Sequence, residues 1–287
     1  MKKILFVIFV SLLLVTCSQH PALKVFSWYS EVAENNYVIP YTLNLFAIDR
    51  LENRKSRKHI KKYIEWIFTK LNYPDKHGLT GSIYDFHISQ EGEEISSETY
   101  DSVDSYSATF LILLNEYVKL TGDQSFIARF KTQIKDIAYT IAHLQDDDGL
   151  TSAIPQSDTK YLMDNCEVYG GLIAFTELSK LMGWELENYY DDIAISLRHG
   201  IFNYFYNHQN QNFNWAVDDK TVHTSDWNIF YPDAYAQLFP ILYKLVDDQP
   251  LIKKTIWNNF SEFYSDKENV PLEQQLVISL AEKRMGE

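Results

Sequence analysis

Cysteine is nearly missing from this chain: 287 residues contain two, Cys17 and Cys166. So few thiols cannot staple a fold together. Glycine and proline are also sparse and form no tract, so nothing marks an internal linker. None of His77, His87, His143, His199, His208 and His223 stands four residues from another, so the paired-histidine zinc motif is absent. We therefore expect no metal and no cofactor. Positive charge is short: 26 Lys and Arg face 39 Asp and Glu, a formal charge of -13. Phosphates would be repelled, which excludes nucleic acid as the natural partner. The apolar run from Ile4 to Val15 is 12 residues, too short for the roughly 20 of a spanning helix.

That run follows Lys2 and Lys3, and the combination reads as a secretory signal. It ends in Leu14-Val15-Thr16-Cys17, which resembles the bacterial lipobox, with Thr16 where Gly, Ala or Ser is usual. The resemblance implies a diacylated Cys17, membrane attachment through that lipid, and a place in the bacterial cell envelope, at the outer membrane or periplasmic face. Residues 1–17 are then leader, and 18–287 form one domain. With Cys17 lipidated, Cys166 has no disulfide partner and reads as a small buried hydrophobe.

What is abundant is aromatic. Four tyrosines, Tyr41, Tyr106, Tyr169 and Tyr235, recur at spacings of 65, 63 and 66 residues, each near the start of an apolar helical run. Asp104, Glu167 and Asp233 stand two residues before the last three of them, and Asp101 and Asp164 three before the first two of those acids. A fixed period marks a repeated supersecondary unit. The unit reads as helix, short turn, helix, then a loop with strand-like residues. The spacing predicts helices over 37–52, 102–120, 124–145, 163–181, 185–206, 226–245, 250–264 and 271–284, and one that the basic patch Arg54 to Lys62 opens and that carries Ile60, Ile64, Ile67 and Leu71, with Gly122 as a C-terminal cap. Gly78 to Tyr84 and Phe213 to Val217 look β-like. Asp146, Asp147 and Asp148 read mainly as a solvated turn, because the full calcium-loop pattern is lacking. Helical hairpins cannot bury their apolar faces alone; stacked side by side they curve, and the inner-helix N-termini open at one end.

This pattern resembles the six-hairpin glycosidase superfamily, the (α/α) toroids. The likeness rests on Tyr100-Asp-Ser-Val-Asp-Ser-Tyr106, Thr121-Gly-Asp123 and Glu167-Val-Tyr-Gly-Gly171, with Phe26-Ser-Trp28 and Asn36 to Tyr41 similar to a first inner helix. It implies an all-α toroid and a carbohydrate-active enzyme whose groove binds an oligo- or polysaccharide at the mouth. Only four hairpins are clear where the family has six, which leaves three alternatives: an incomplete toroid, one built from shorter terminal hairpins, or one that has lost its C-terminal part.

Glycosidic cleavage needs one carboxyl group to protonate the leaving oxygen and a second to activate water or attack the sugar. Asp104 and Glu167 are the favoured pair, with Asp101 beside them. Asp164 and Asp233 would support them, and Tyr41, Tyr106, Tyr169, Tyr235, Trp28, Trp215 and Trp227 would bind the sugar. Against this stands a plainer role: acids in first helical turns meet the helix dipole, worth about 0.3–1 kcal/mol each. A non-catalytic glycan- or protein-binding lipoprotein, a polysaccharide lyase and a helical-repeat adaptor are the competing functions.

Overall fold

The computed structural model describes residues 37–89, 91, 93–185, 188–264 and 270–286. The leader, Cys17 and Trp28 lie outside them. Four helical hairpins and a closing helix build an α/α toroid. The first hairpin pairs α1 (Pro40–Arg50) with α2 (Arg57–Lys70). The second pairs α3 (Val103–Thr121) with a return split into α4 (Gln124–Ala128) and α5 (Lys131–His143). The third pairs α6 (Leu162–Leu181) with α7 (Tyr189–Gly200), which runs into a wider turn, Ile201–Phe205. The fourth begins with the wide turn Phe230–Ala234, continues through α8 (Phe239–Leu242) and returns along α9 (Pro250–Phe263). Last comes α10 (Leu272–Met285).

Inner and outer helices differ in composition for a physical reason. Inner helix α3 buries nearly every residue from Val103 to Val118, so it is apolar on all sides. Outer helix α2 buries only Ile60, Tyr63, Ile64, Ile67 and Phe68, one stripe, and leaves its lysines in water. Tyr63 ties the two layers: its hydroxyl lies 2.7 Å from Asn44 Oδ1 and 3.0 Å from Pro40 O. Helices α3 and α6 pack most intimately. A Cβ on Gly171 would lie 2.6 Å from Ala108 Cα, so only glycine permits that approach.

The ring closes. Helix α1 packs on α3, α3 on α6, α6 on α8, α8 on α10, and α10 back on α1. Among the described residues one helix, α10, thus stands between the fourth hairpin and the first. Lys283 reaches Asp49 across that seam at 3.1 Å. Among the described residues no helix is long and apolar enough to cross a membrane.

Several expected elements differ in detail. Tyr37–Val38 is not helical but a short strand, β1, paired with β2 (Phe86–Ile88), which pairs in turn with β3 (Glu94–Ser96). Residues 78–84 form a turn instead of a strand, because Asp75 accepts from Leu79 N, Ser82 Oγ and Tyr100 OH and pulls the chain round itself. The 226–245 helix is broken, since Pro232 and Pro240 lack the N–H a continuous helix needs. The return of hairpin two breaks at Phe130, whose ring stacks on Phe68 at 4.0 Å. Gly122 caps α3 as expected, with φ 69° and its N–H on Val118 O. Strand β4 (Lys160–Tyr161) leads into α6; β5 (Tyr206–Asn207) pairs with β6 (Asn212–Phe213), and β7 (Ala216–Val217) joins β4 to β8 (Val222–His223).

Candidate active site

Every inner helix points its N-terminus at the same end of the ring, and there the acids meet. Asp104 and Asp164 sit in the first turns of α3 and α6, and Glu167 one turn further along. The N-cap of α3 is Ser102, yet its hydroxyl makes no capping bond. It lies 2.7 Å from Asp104 Oδ1 and 3.0 Å from Asp164 Oδ2 instead. A hydroxyl has one proton to donate. For both contacts to be hydrogen bonds, one carboxyl group must carry a proton of its own.

The surroundings say which. Asp104 is fully buried and accepts from Ser105 N at 2.8 Å and Thr151 Oγ1 at 2.8 Å, bonds that favour its ionised form. Burial still pushes its pKa up. Asp164 is half-buried at the mouth. Burial, then the charges of Asp104 and Glu167, hold it well above the ordinary carboxylate range. Asp164 is thus the proton holder of the pair. Glu167 is raised to about 8, first by burial, although Tyr41 donates to its Oε1 at 2.6 Å and Tyr243 at 3.3 Å.

Two further carboxyl groups reach this end that the sequence reading missed. Asp85, just before β2, accepts from Tyr106 at 2.9 Å and Tyr37 at 3.0 Å, and burial raises its pKa. No helical period flagged it, because it lies in a loop. Glu273 comes from the first turn of α10, is half-buried, and accepts from the Thr42 hydroxyl. Its pKa is raised by burial and by Asp101. An acid in the first turn of a predicted last helix was the available signal. Asp101 itself is exposed, with its charge felt by Asp85, Asp164 and Glu273. Among the described residues no Lys or Arg makes an ion pair with any of these six acids. Nor is any group of three His, Cys, Asp or Glu among them arranged to hold a metal ion.

The aromatics divide. Tyr41, Tyr106 and Tyr235 stand with the acids, Tyr41 and Tyr106 with ring centroids 6.2 Å apart. Tyr169 does not: it turns to the opposite end of the ring, and Tyr243 takes the place beside Glu167. Trp215 lies at the flank, stacked on Tyr161 at 6.4 Å and 14°, and Tyr161 feels the charge of Asp164. Trp227 is peripheral, its carbonyl accepting from Tyr264. Tyr231, not singled out in the sequence, is 56% exposed and feels the charges of Asp101, Asp164 and Glu273. It is the aromatic face best placed to receive a flat ligand. Asp233 is taken out of the cluster because it holds a loop, accepting from Asp226 N at 2.8 Å. Cys166 is buried, with its thiol pKa raised by that burial. Asp146 and Asp148 pair with Lys160 at 2.8 and 2.7 Å, so that run is a salt-bridged turn.

No family model matches the chain, and no curated protein matches it. Solved structures do. A rhamnosidase from Klebsiella oxytoca, solved with rhamnose bound, superposes with a TM-score of 0.62 at 12% identity over 92% of this chain. The chain spans 50% of that enzyme's length. A GH78 family rhamnosidase of Bacillus sp. GL1 gives 0.49 at 15% identity, over 66% of this chain and 21% of that one. Cellobiose 2-epimerase from Bacillus thermoamylovorans gives 0.48 at 10%, over 88% and 60%. At such identities the likeness concerns the fold.

Proposed function

We propose that this chain processes carbohydrate, cleaving a glycosidic bond at the toroid mouth. The observation that carries the reading is the Ser102 bridge, which requires a proton on one of two facing carboxyl groups; we assign it to Asp164, the less buried residue of the two. Asp164 is the general acid that protonates the leaving oxygen. Glu273 is the facing carboxylate. Its helix is not adjacent to α6 in the ring, and Tyr231 feels the charges of both acids. Thr42 holds one of its oxygens, and the other, which has no hydrogen bond among the described residues, takes a proton from the attacking water. Asp104 and Glu167 are too buried to touch a sugar; they position Asp164 and raise its pKa. Asp101 acts from the rim by its charge. Among the described residues no Lys or Arg pairs with these acids, which disfavours a uronic-acid substrate and hence a lyase. The fold shared with carbohydrate-active enzymes supports the reading without carrying it.

The signal-like start and Leu14 to Cys17 support attachment of the chain to a bacterial envelope membrane through lipid on Cys17. Burial of Asp104 and Glu167 favours one second reading, a glycan-binding protein without turnover. The test is a hydrolysis and binding screen of neutral oligosaccharides with the form beginning at Ser18. Turnover that disappears in Asp164→Asn and in Glu273→Gln, with folding and binding retained, is the expected result. Equal turnover in both variants defeats the assignment, and binding without turnover by the unaltered protein selects the second reading.

A further inference from the structure

The end of the ring opposite the acids encloses a cavity of about 310 Å³, round which Lys119 pairs with Glu177 at 2.5 Å and Lys283 with Asp49 at 3.1 Å. The turn outside it, from α1 into α2, is not neutralised in this way. Seven of the chain's 26 Lys and Arg stand between Arg50 and Lys62, with one acid, Glu52, among them. Arg54, Lys55, Lys58 and Lys62 are exposed, and among the described residues none of the four pairs with an acid. In a chain of net charge -13 that is the reverse of the bulk composition. It also runs against the helix. The first turn of α2 has no acid, and Lys58 there meets the positive end of the helix dipole. Helices α3, α6, α7 and α10 carry acids at that place. The fold gains nothing from these exposed cations.

Exposed leucines lie on the same surface. Arg57 Nη1 donates to Leu120 O at 3.1 Å, at the end of α3, and the Leu120 residue is 40% exposed. Lys61 pairs with Asp123 at 2.6 Å, and the next residue, Gln124, donates through Nε2 to Leu181 O at 3.2 Å, at the end of α6. Leu181 is 42% exposed. Cations interleaved with apolar side chains suit a partner with negative charge outside and an apolar phase beneath. A soluble polyanion would meet the cations and leave the leucines in water.

Distance decides whether the overall negative charge forbids such a contact. Helix α6 has 20 residues and is about 30 Å long. Charges are screened over about 8 Å at physiological ionic strength. The acids at the mouth are therefore several screening lengths away, and the local cations decide what this turn attracts.

We propose that the α1–α2 turn and the start of α2, with Leu120 and Leu181 beside them, dock on an anionic phospholipid surface. Contact at this end leaves the acid-lined mouth facing away from the membrane. The docking depends neither on the saccharide reading of the mouth nor on lipid at Cys17.

Cosedimentation of the form beginning at Ser18 with vesicles tests it. Vesicles of phosphatidylglycerol mixed equally with phosphatidylcholine should bind the protein in about 0.1 M salt and release it in about 1 M salt, where the screening length is about 3 Å. Phosphatidylcholine alone should not bind it. Each cation at such a surface is worth about fivefold in affinity, so Lys55→Glu, Lys58→Glu and Lys62→Glu together should weaken binding at least tenfold. The three side chains are exposed, and glutamate at 58 suits a helix start, so folding is kept. Lys76→Glu, Lys220→Glu and Lys254→Glu together make the same change of charge at exposed positions elsewhere and should leave binding within about threefold. Leu120→Ser with Leu181→Ser should weaken vesicle binding and leave binding of soluble polyphosphate unchanged. Absence of phosphatidylglycerol-dependent binding overturns the proposal, as does an equal loss in the two triple variants. Vesicle binding that ignores both leucines overturns lipid as the partner and leaves a plain anion site.

Discussion

Glu167 and Glu177 lie on one helix, ten residues apart, and behave in opposite ways. Glu167, at the mouth, is pushed up to about 8 by burial among acids and tyrosines. Glu177, at the far end, is held below its ordinary value because Lys119 and Asn115 donate to it and outweigh its partial burial. The whole ring repeats this contrast. Its N-terminal end gathers Asp85, Asp101, Asp104, Asp164, Glu167 and Glu273 with no Lys or Arg ion pair among the described residues. Its C-terminal end pairs acids with lysines round an apolar hollow. One end keeps protons that chemistry can use; the other neutralises the charges round its hollow. Residue type alone decides neither, since a carboxyl group takes its character from whatever the neighbouring helices bring to it.

The strongest way to break the contrast is through pH and stability. A carboxyl group whose folded pKa is raised binds a proton in the native state that the unfolded chain has already lost. The native state is therefore favoured at low pH and loses that advantage as pH climbs from the unfolded value, 4.5, through the folded value, about 8. For Glu167 the change is at most about 5 kcal/mol, at 1.36 kcal/mol per unit. Urea denaturation should show stability falling between pH 5 and pH 8, and Glu167→Gln should flatten that fall. A slope as steep in Glu167→Gln as in the unaltered protein would mean that the charge strain sits elsewhere. Glu177 has the opposite sign: its contribution is present at neutral pH and is lost on acidification.

A subtler change sharpens the same comparison. Tyr243 lines the far cavity with its ring and donates its hydroxyl to Glu167, so it is the partition between the two ends. That hydrogen bond favours the ionised carboxylate. In Tyr243→Phe the pKa of Glu167 should rise further above about 8, by roughly one unit, the equivalent of about 1.4 kcal/mol. Carbon-detected NMR titration of labelled glutamate reads it directly. No shift, or a fall, would show that Tyr243 does not hold Glu167.

Much of the mouth was legible in the sequence because it obeys a period. Asp101, Asp104, Asp164 and Glu167 sit at repeated helix starts, and a repeat places equivalent positions at one end whatever the details. Tyr41 and Tyr106 followed from the same logic. Tyr169 obeyed the period and still turned away, because Gly170 beside it lets Tyr243 approach within 2.8 Å of where a Cβ would stand. Asp85 and Tyr231 were invisible, since loops carry no period and their position depends on which strand or turn they join. Closure of the ring was hidden for a different reason. Among the described residues one helix closes the ring, and a lone helical segment at 272–285 does not announce that it will insert between α8 and α1. The far cavity was hidden too, since it is a space between side chains and no residue type encodes it.

The smallest effect belongs to the far end, and its smallness is what the comparison requires. Glu177 and Lys119 are both partly open to water, with side-chain exposures of 46% and 38%. Water and salt screen such a pair, and exposed ion pairs contribute about 0–1 kcal/mol. Glu177→Gln removes the charge but leaves an amide that can still meet Lys119 and Asn115. Its stability at pH 7 should fall by less than about 1 kcal/mol, and any glycosidic turnover should stay within about threefold of the unaltered protein, since Glu177 lies a ring's length from Asp164. Chemical denaturation in low and high salt separates the causes. The small loss should vanish at 1 M salt, where the screening length is about 3 Å. A loss of several kcal/mol, or one that persists in salt, would mean that Glu177 is buried as deeply in its own way as Glu167, and the two ends of the ring would no longer differ in kind.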